Sequence, residues 1–192
     1  MNQSLNFCFK GNRTYVHGTD IVSELYKNFS QSEVTNVDIK FNGIALTNLD
    51  LVEGDELENA KVNIRLTEKG TDKHFQLIES STEIDCRYEY DEDDLLNKCN
   101  LDLQNEQISL KEKTGYTFCE NLVAMNKSLL QSLFPDESGK WYFTRLEQPK
   151  MVVDEALIKV KLVKNFNFRL VKSDILMNDT VIGSVYFTMV RG

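Results

Sequence analysis

Apolar and polar positions alternate along much of this chain, and two stretches replace that rhythm with a helical one. Leu5, Phe7 and Phe9 alternate with Asn6, Cys8 and Lys10, the period of a half-buried strand, and Gly11-Asn12 closes it as a turn. From about Thr19 to Phe29 the spacing of Ile21, Val22, Leu25, Tyr26 and Phe29 predicts a helix with one broad apolar face, opened by Thr19 or Asp20 as a cap. Strand patterns follow at Val34–Phe41, at Ile44, Leu46, Leu49 and Leu51 beyond Asn42-Gly43, at Ala60–Leu66 beyond Gly54-Asp55, at His74–Ile78 beyond Gly70-Thr71-Asp72, and at Ile84–Tyr90. Their short connections predict antiparallel pairing.

Asp91-Glu92-Asp93-Asp94 reads as a solvated linker or a helix start, and Leu95–Lys98 has no clear period. A short strand at Ile108 and Leu110 leads through Lys113-Thr114-Gly115 to a second helix, from about Cys119 to Phe134, stopped by Pro135 and Gly139. Trp141–Leu146, Ala156–Val163, Phe166–Leu176 and Val181–Val190 complete a second strand, helix and four-strand series, with Asn178-Asp179 as its last hairpin turn.

The two halves agree in element order and in several residues. Tyr15, Asp20, Ile21 and Val22 match Tyr116, Asn121, Leu122 and Val123 at one offset, Ala60–Leu66 matches Ala156–Leu162, His74–Leu77 matches Asn167–Leu170, and Thr82, Ile84 and Tyr88 match Thr180, Ile182 and Tyr186. Such ordered self-similarity predicts a tandem duplication, with boundaries at 1–94 and 95–192, packed as one compact unit.

Composition narrows the function classes. The formal charge of −8 argues against a nucleic-acid partner, which needs clustered Lys and Arg, and against docking on anionic membranes; no basic run is visible. No segment approaches the length of a membrane helix and the N-terminus lacks a signal pattern, so the expectation is a cytoplasmic protein. Cys8, Cys86, Cys99 and Cys119 form no close pair, which predicts idle thiols in a reducing compartment. Neither a phosphate-binding glycine loop, a nucleophile elbow nor a metal-ligand spacing is present, so no cofactor and no metal are expected.

A strand, a central helix and four antiparallel strands, given twice, resemble the hotdog fold in its double form. The resemblance covers nearly the whole chain and rests on topology and spacing. It implies an α+β architecture of two β-α-β-β-β-β repeats whose sheets wrap their central helices, and a small-molecule acyl thioester, on coenzyme A or an acyl carrier, as the substrate. A homo-oligomer is compatible with it. It further implies thioester hydrolysis or dehydration of 3-hydroxyacyl thioesters. In that setting His17, just before the first helix, takes the place of a catalytic base, and Glu120, Asp20 or Glu24 that of the assisting carboxylate. Tyr15, Gly18 and Asn121 fall beside those groups as substrate-binding candidates, and helix-start N–H groups can polarise a thioester carbonyl. Departures from the family are plain: only His17-Gly18 remains of the dehydratase loop, the interval to Glu24 is short, and the thioesterase pattern of an aspartate before a glycine-containing loop is missing. Phe118-Cys119 replaces His17-Gly18 in the second half, so at most one site per chain is expected. The alternatives are a non-catalytic hotdog that binds an acyl ligand or serves as an assembly subunit, and, for the fold, an all-β sandwich with peripheral helices.

Overall fold

The computed structural model describes residues 2–30, 32–54, 57–152 and 157–191, which belong to two compact units, 1–91 with 149–151 and 92–148 with 152–192.

The first unit runs β1 (Asn2–Leu5), β2 (Phe9–Lys10), α1 (Gly18–Phe29), β3 (Val34–Phe41), β4 (Leu49–Glu53), β5 (Val62–Glu68), β6 (Thr71–Glu79) and β7 (Arg87–Tyr88). Its main sheet has the order β1-β4-β6-β5-β3, antiparallel at every pairing. One face of that sheet is apolar and buried, with Leu49, Leu51, Val62, Ile64, Phe75 and Leu77 among its members. Against it lies the stripe Ile21, Val22, Leu25 and Tyr26 of α1, and the Phe29 and Phe75 rings are 5.2 Å apart. Val34 and Val37 are both buried although three residues apart, because a bulge at Asn36, with φ 51°, resets the strand's phase. Lys69 and Gly70 both have positive φ and make the tight β5–β6 turn.

Three expectations fail here. Ile44 and Leu46 lie exposed ahead of β4, outside the strand expected to hold them. The alternation of Leu5 to Lys10 is split into β1 and β2, and the Ile84–Tyr90 strand shrinks to β7, which pairs with β2 in parallel through Phe9↔Arg87 and Lys10↔Tyr88. The interruption shifts the phase, so Lys10, a polar-face residue in the alternation, is wholly buried. A disulfide between Cys8 and Cys86 lies beside this parallel pair. That bond corrects the reading of four idle thiols, because 78 residues separate two cysteines that the fold makes neighbours. It also removes the support that the thiols lent to a reducing compartment. No helix among the described residues is long and apolar enough to cross a membrane.

The second unit runs α2 (Glu92–Asn97), β8 (Cys99–Asp102), β9 (Gln107–Leu110), α3 (Phe118–Leu133), β10 (Lys140–Lys150), β11 (Ile158–Phe166), β12 (Leu170–Met177) and β13 (Thr180–Val190). The acidic cluster is the opening of α2, and the segment without period holds α2 and β8. The expected strand start at Ala156 lies outside the described residues. Strand order is β8-β9-β11-β12-β13-β10, again antiparallel throughout. Residues 118–126 of α3 are buried without interruption, so this helix is enclosed around its circumference, unlike α1 with its single buried stripe. Asn178 and Asp179, with φ 50° and 60°, form the β12–β13 turn. At Gly183 a Cβ would stand 2.5 Å from the Glu147 carbonyl oxygen, so only glycine lets β13 pass β10 there.

Strand directions alternate alike in the two sheets, but the chain visits them differently. Counting the strand before the helix as first, the order is first-third-fifth-fourth-second in one unit and first-third-fourth-fifth-second in the other. The sheet counterpart of β11 is therefore β4, where the sequence match pairs β11 with β5.

Candidate active site

Most of the candidate residues meet at the start of α1. His17 is the N-cap, with extended backbone, and its carbonyl accepts hydrogen bonds from the Asp20 and Ile21 N–H groups at 3.0 and 3.2 Å. Its side chain does not cap the helix. Instead its Nδ1 lies 2.7 Å from the Thr19 Oγ1, and the Tyr15 ring stands 6.5 Å away. Gly18 is the first helical residue.

Beneath them sits Lys10, absent from the candidates. Its Nζ donates to Thr19 Oγ1 and to Asp20 Oδ1, both at 2.8 Å, and lies 4.5 Å from the centre of the Tyr90 ring and 5.6 Å from that of Tyr88. The Tyr88 hydroxyl donates to Asp20 Oδ2 at 2.8 Å. Both oxygens of Asp20 are thus engaged, and the buried ammonium has a carboxylate, a hydroxyl and two aromatic faces in place of water. The parallel β2–β7 pair and the adjoining disulfide bring residues 8–10 and 86–90 together to make this possible. Phe9 accepts the Arg87 guanidinium over its ring at 5.3 Å, and Arg87 donates to the Gly11 and Arg13 carbonyls.

Thr19 links the two layers. Its hydroxyl lies 3.2 Å from Asp20 Oδ1 as well as 2.7 Å from His17 Nδ1. A hydroxyl has one proton, so when it donates to Asp20 the imidazole donates from Nδ1 to Thr19, which assigns the acceptor role to Nε2. In that tautomer Nε2 is the nitrogen that can accept a proton; with the hydroxyl donating to Nδ1 instead, Nε2 carries it.

The other candidates are placed elsewhere. Glu24, one turn beyond Asp20, receives Lys27 at 3.2 Å. Glu120 belongs to a capping box: Thr117 Oγ1 accepts the Glu120 N–H at 3.3 Å while the Glu120 carboxylate accepts the Thr117 N–H at 2.8 Å. Asn121 accepts the Thr114 hydroxyl at 2.7 Å and donates to the Tyr116 carbonyl at 3.2 Å. The α3 start is therefore closed by its own side chains. Cys119 is buried, and burial pushes the Cys99 thiol up to about 11. Among the described residues, no group of His, Cys, Asp and Glu is arranged to hold a metal.

No protein-family model and no curated protein matches the sequence. Solved structures do. The tesB protein of Mycobacterium avium subs paratuberculosis superposes with a TM-score of 0.54 at 9% identity, over 98% of this chain and 93% of that one. A conserved protein of unknown function with hot dog fold from Alicyclobacillus acidocaldarius gives 0.52 at 8% identity, over 100% and 93%. The fold is a hotdog. At such identities the likeness is one of backbone alone, and it embraces the large antiparallel sheets and the few helices of this hotdog chain. Lys10, Tyr88 and Tyr90 had no signal of their own in the sequence; the one available hint was a lysine ending an apolar alternation that stops at Gly11.

Proposed function

We propose that this chain is a double hotdog, two halves related by duplication, that processes acyl thioesters as a thioesterase or a 3-hydroxyacyl dehydratase. The observation that carries the reading is the His17 imidazole at the start of a hotdog helix, its Nδ1 2.7 Å from Thr19 and Thr19 in turn against Asp20. In this reading Nε2 takes the proton, from the attacking water in hydrolysis or from the α-carbon in dehydration, and returns it to the leaving group, the thiolate in the first case and the β-hydroxyl, lost as water, in the second. Asp20 does not touch substrate; it positions Thr19 and through it the imidazole. Gly18 and Thr19, in the first turn of α1, present their N–H groups toward the thioester carbonyl, and Tyr15 flanks the acyl group.

A panel of acyl-CoA and acyl-carrier thioesters tests it. Free thiol reports hydrolysis and a conjugated enoyl thioester reports dehydration. His17→Gln is expected to lower kcat on the best substrate at least a hundredfold, the low end of general-base catalysis. An unchanged rate removes His17 from the reaction. A second reading, a non-catalytic hotdog that holds an acyl ligand, is favoured by the engagement of Asp20, Glu120 and Asn121 in structural contacts. A bound acyl species in native mass spectrometry with no turnover of any thioester supports that reading over the first.

A further inference from the structure

The residues from 157 to 172 carry five basic side chains, Lys159, Lys161, Lys164, Arg169 and Lys172, and no acidic one, within a chain of formal charge −8. Strand alternation spaces them, so they do not read as a run, yet β11 and β12 fold them into one hairpin. Residues directly paired across strands share a face. Lys164 pairs with Lys172, Lys172 with Tyr186, and Tyr186 with Arg145, so one row crosses β11, β12, β13 and β10 with three cations around a tyrosine. Like charges set directly opposite each other, as Lys164 and Lys172 are, destabilise a sheet. Asp174 is the direct cross-strand partner of Lys161 and lies 3.9 Å from Lys172, and Glu147 holds Arg145 at 2.6 Å.

Two residues nearer the hairpin tip, Phe166 and Leu170 form the next cross-strand pair on this face, 48% and 39% exposed, and Val163 is 52% exposed at the bulge in β11. Lys164 stands 4.4 Å over the Phe166 ring. The hairpin thus projects an apolar tip from a basic collar.

We propose that this face of β11 and β12 docks on an anionic lipid surface, Phe166 and Leu170 entering the headgroup boundary and Lys161, Lys164, Arg169 and Lys172 meeting lipid phosphates and carboxylates. Charge complementarity selects an anionic partner, and the apolar side chains select lipid over nucleic acid. Base stacking needs open aromatic faces in series, but the Phe166 ring is covered by Lys164, Tyr186 is only 9% exposed, and the other exposed side chains are aliphatic. The negative charge of the whole chain does not cancel the local patch, since at physiological salt its field is screened within about 8 Å.

Co-sedimentation of the full chain with vesicles tests the proposal, using phosphatidylcholine alone against phosphatidylcholine with about one-third phosphatidylserine. Binding is expected only to the anionic vesicles and is lost as salt is raised. Lys164→Ala and Lys161→Ala are each expected to weaken it about fivefold, the effect of one basic residue at such a surface. Phe166→Ala weakens it as well, whereas Lys27→Ala, an exposed lysine on α1, leaves it unchanged. Melting curves check that the variants fold, and Lys164→Gln replaces any alanine variant that does not. Equal binding to both vesicles, no binding, or equal effects of Lys164→Ala and Lys27→Ala overturns the proposal. So does binding of a single-stranded oligonucleotide in place of vesicles, or a Lys164-dependent dimer that binds no lipid.

Discussion

Lys10 and Asp20 form an ion pair at 2.8 Å in which the lysine is wholly buried and the carboxylate side chain is 16% exposed. Removing one partner of such a pair strands the other charge away from water, a loss of about 3–5 kcal/mol. Lys10→Met is expected to cost that much in a denaturant titration. Lys10→Met combined with Asp20→Asn should recover a substantial part, since neither charge is then left alone. Strictly additive losses would show that the two residues do not act as a pair.

The Cys8–Cys86 bond closes a loop with a sequence separation of 78 residues. A cross-link of that span restricts the unfolded chain by about 4 kcal/mol in the loop-entropy account. Cys8→Ser is therefore expected to lower the unfolding free energy by about that amount, and reductant should bring the parent protein down to the variant. A parent insensitive to reductant would contradict the contribution assigned here.

Thr117 and Glu120 give a prediction that separates a cap from a catalyst. Thr117→Ala removes one half of the capping box and is expected to cost about 1 kcal/mol. Glu120→Gln keeps a side chain that can cap, so its stability should fall by less. Its turnover of any thioester should also equal the parent's; a collapse of kcat without a change in melting would restore Glu120 to the reaction.

Glu79 accepts the Leu46 N–H at 2.6 Å and lies 3.1 Å from the Lys61 ammonium, and these two contacts, the backbone one foremost, hold its carboxyl below the usual 4.5. A folded-state value below the unfolded one adds stability that is complete above the unfolded value and drains as pH falls through the folded one. Glu79→Gln should thus be less stable than the parent at neutral pH, with the gap closing below about pH 4. A gap independent of pH would mean that the charge is not what matters.

What could be read from the sequence was whatever repeats locally. The α1 and α3 helices lie within a residue of their predicted ends because their apolar spacing is long and unambiguous, and the β12–β13 turn falls on Asn178-Asp179, which tolerate positive φ. Lys10 and the 84–90 segment went the other way. Their state is fixed by each other across more than seventy residues, through a two-residue parallel pair that no alternation pattern encodes. The site followed the same division. His17 and Asp20 are brought together by a helix start, which is local, whereas the lysine that engages Asp20 arrives from a separate strand.

The differing chain order of the two sheets bears on how each unit comes to be folded. In the second unit β11, β12 and β13 are successive hairpins, joined by turns of a few residues, so their pairing can begin from neighbouring chain and proceed stepwise. In the first unit β6 must insert between β5, its hairpin partner, and β4, while β1 waits for a partner more than forty residues away. Loop closure of that kind slows assembly. Both units carry such a closure, since β9 meets β11 across fifty residues or more, but the second can start from two successive hairpins and the first only from β5–β6.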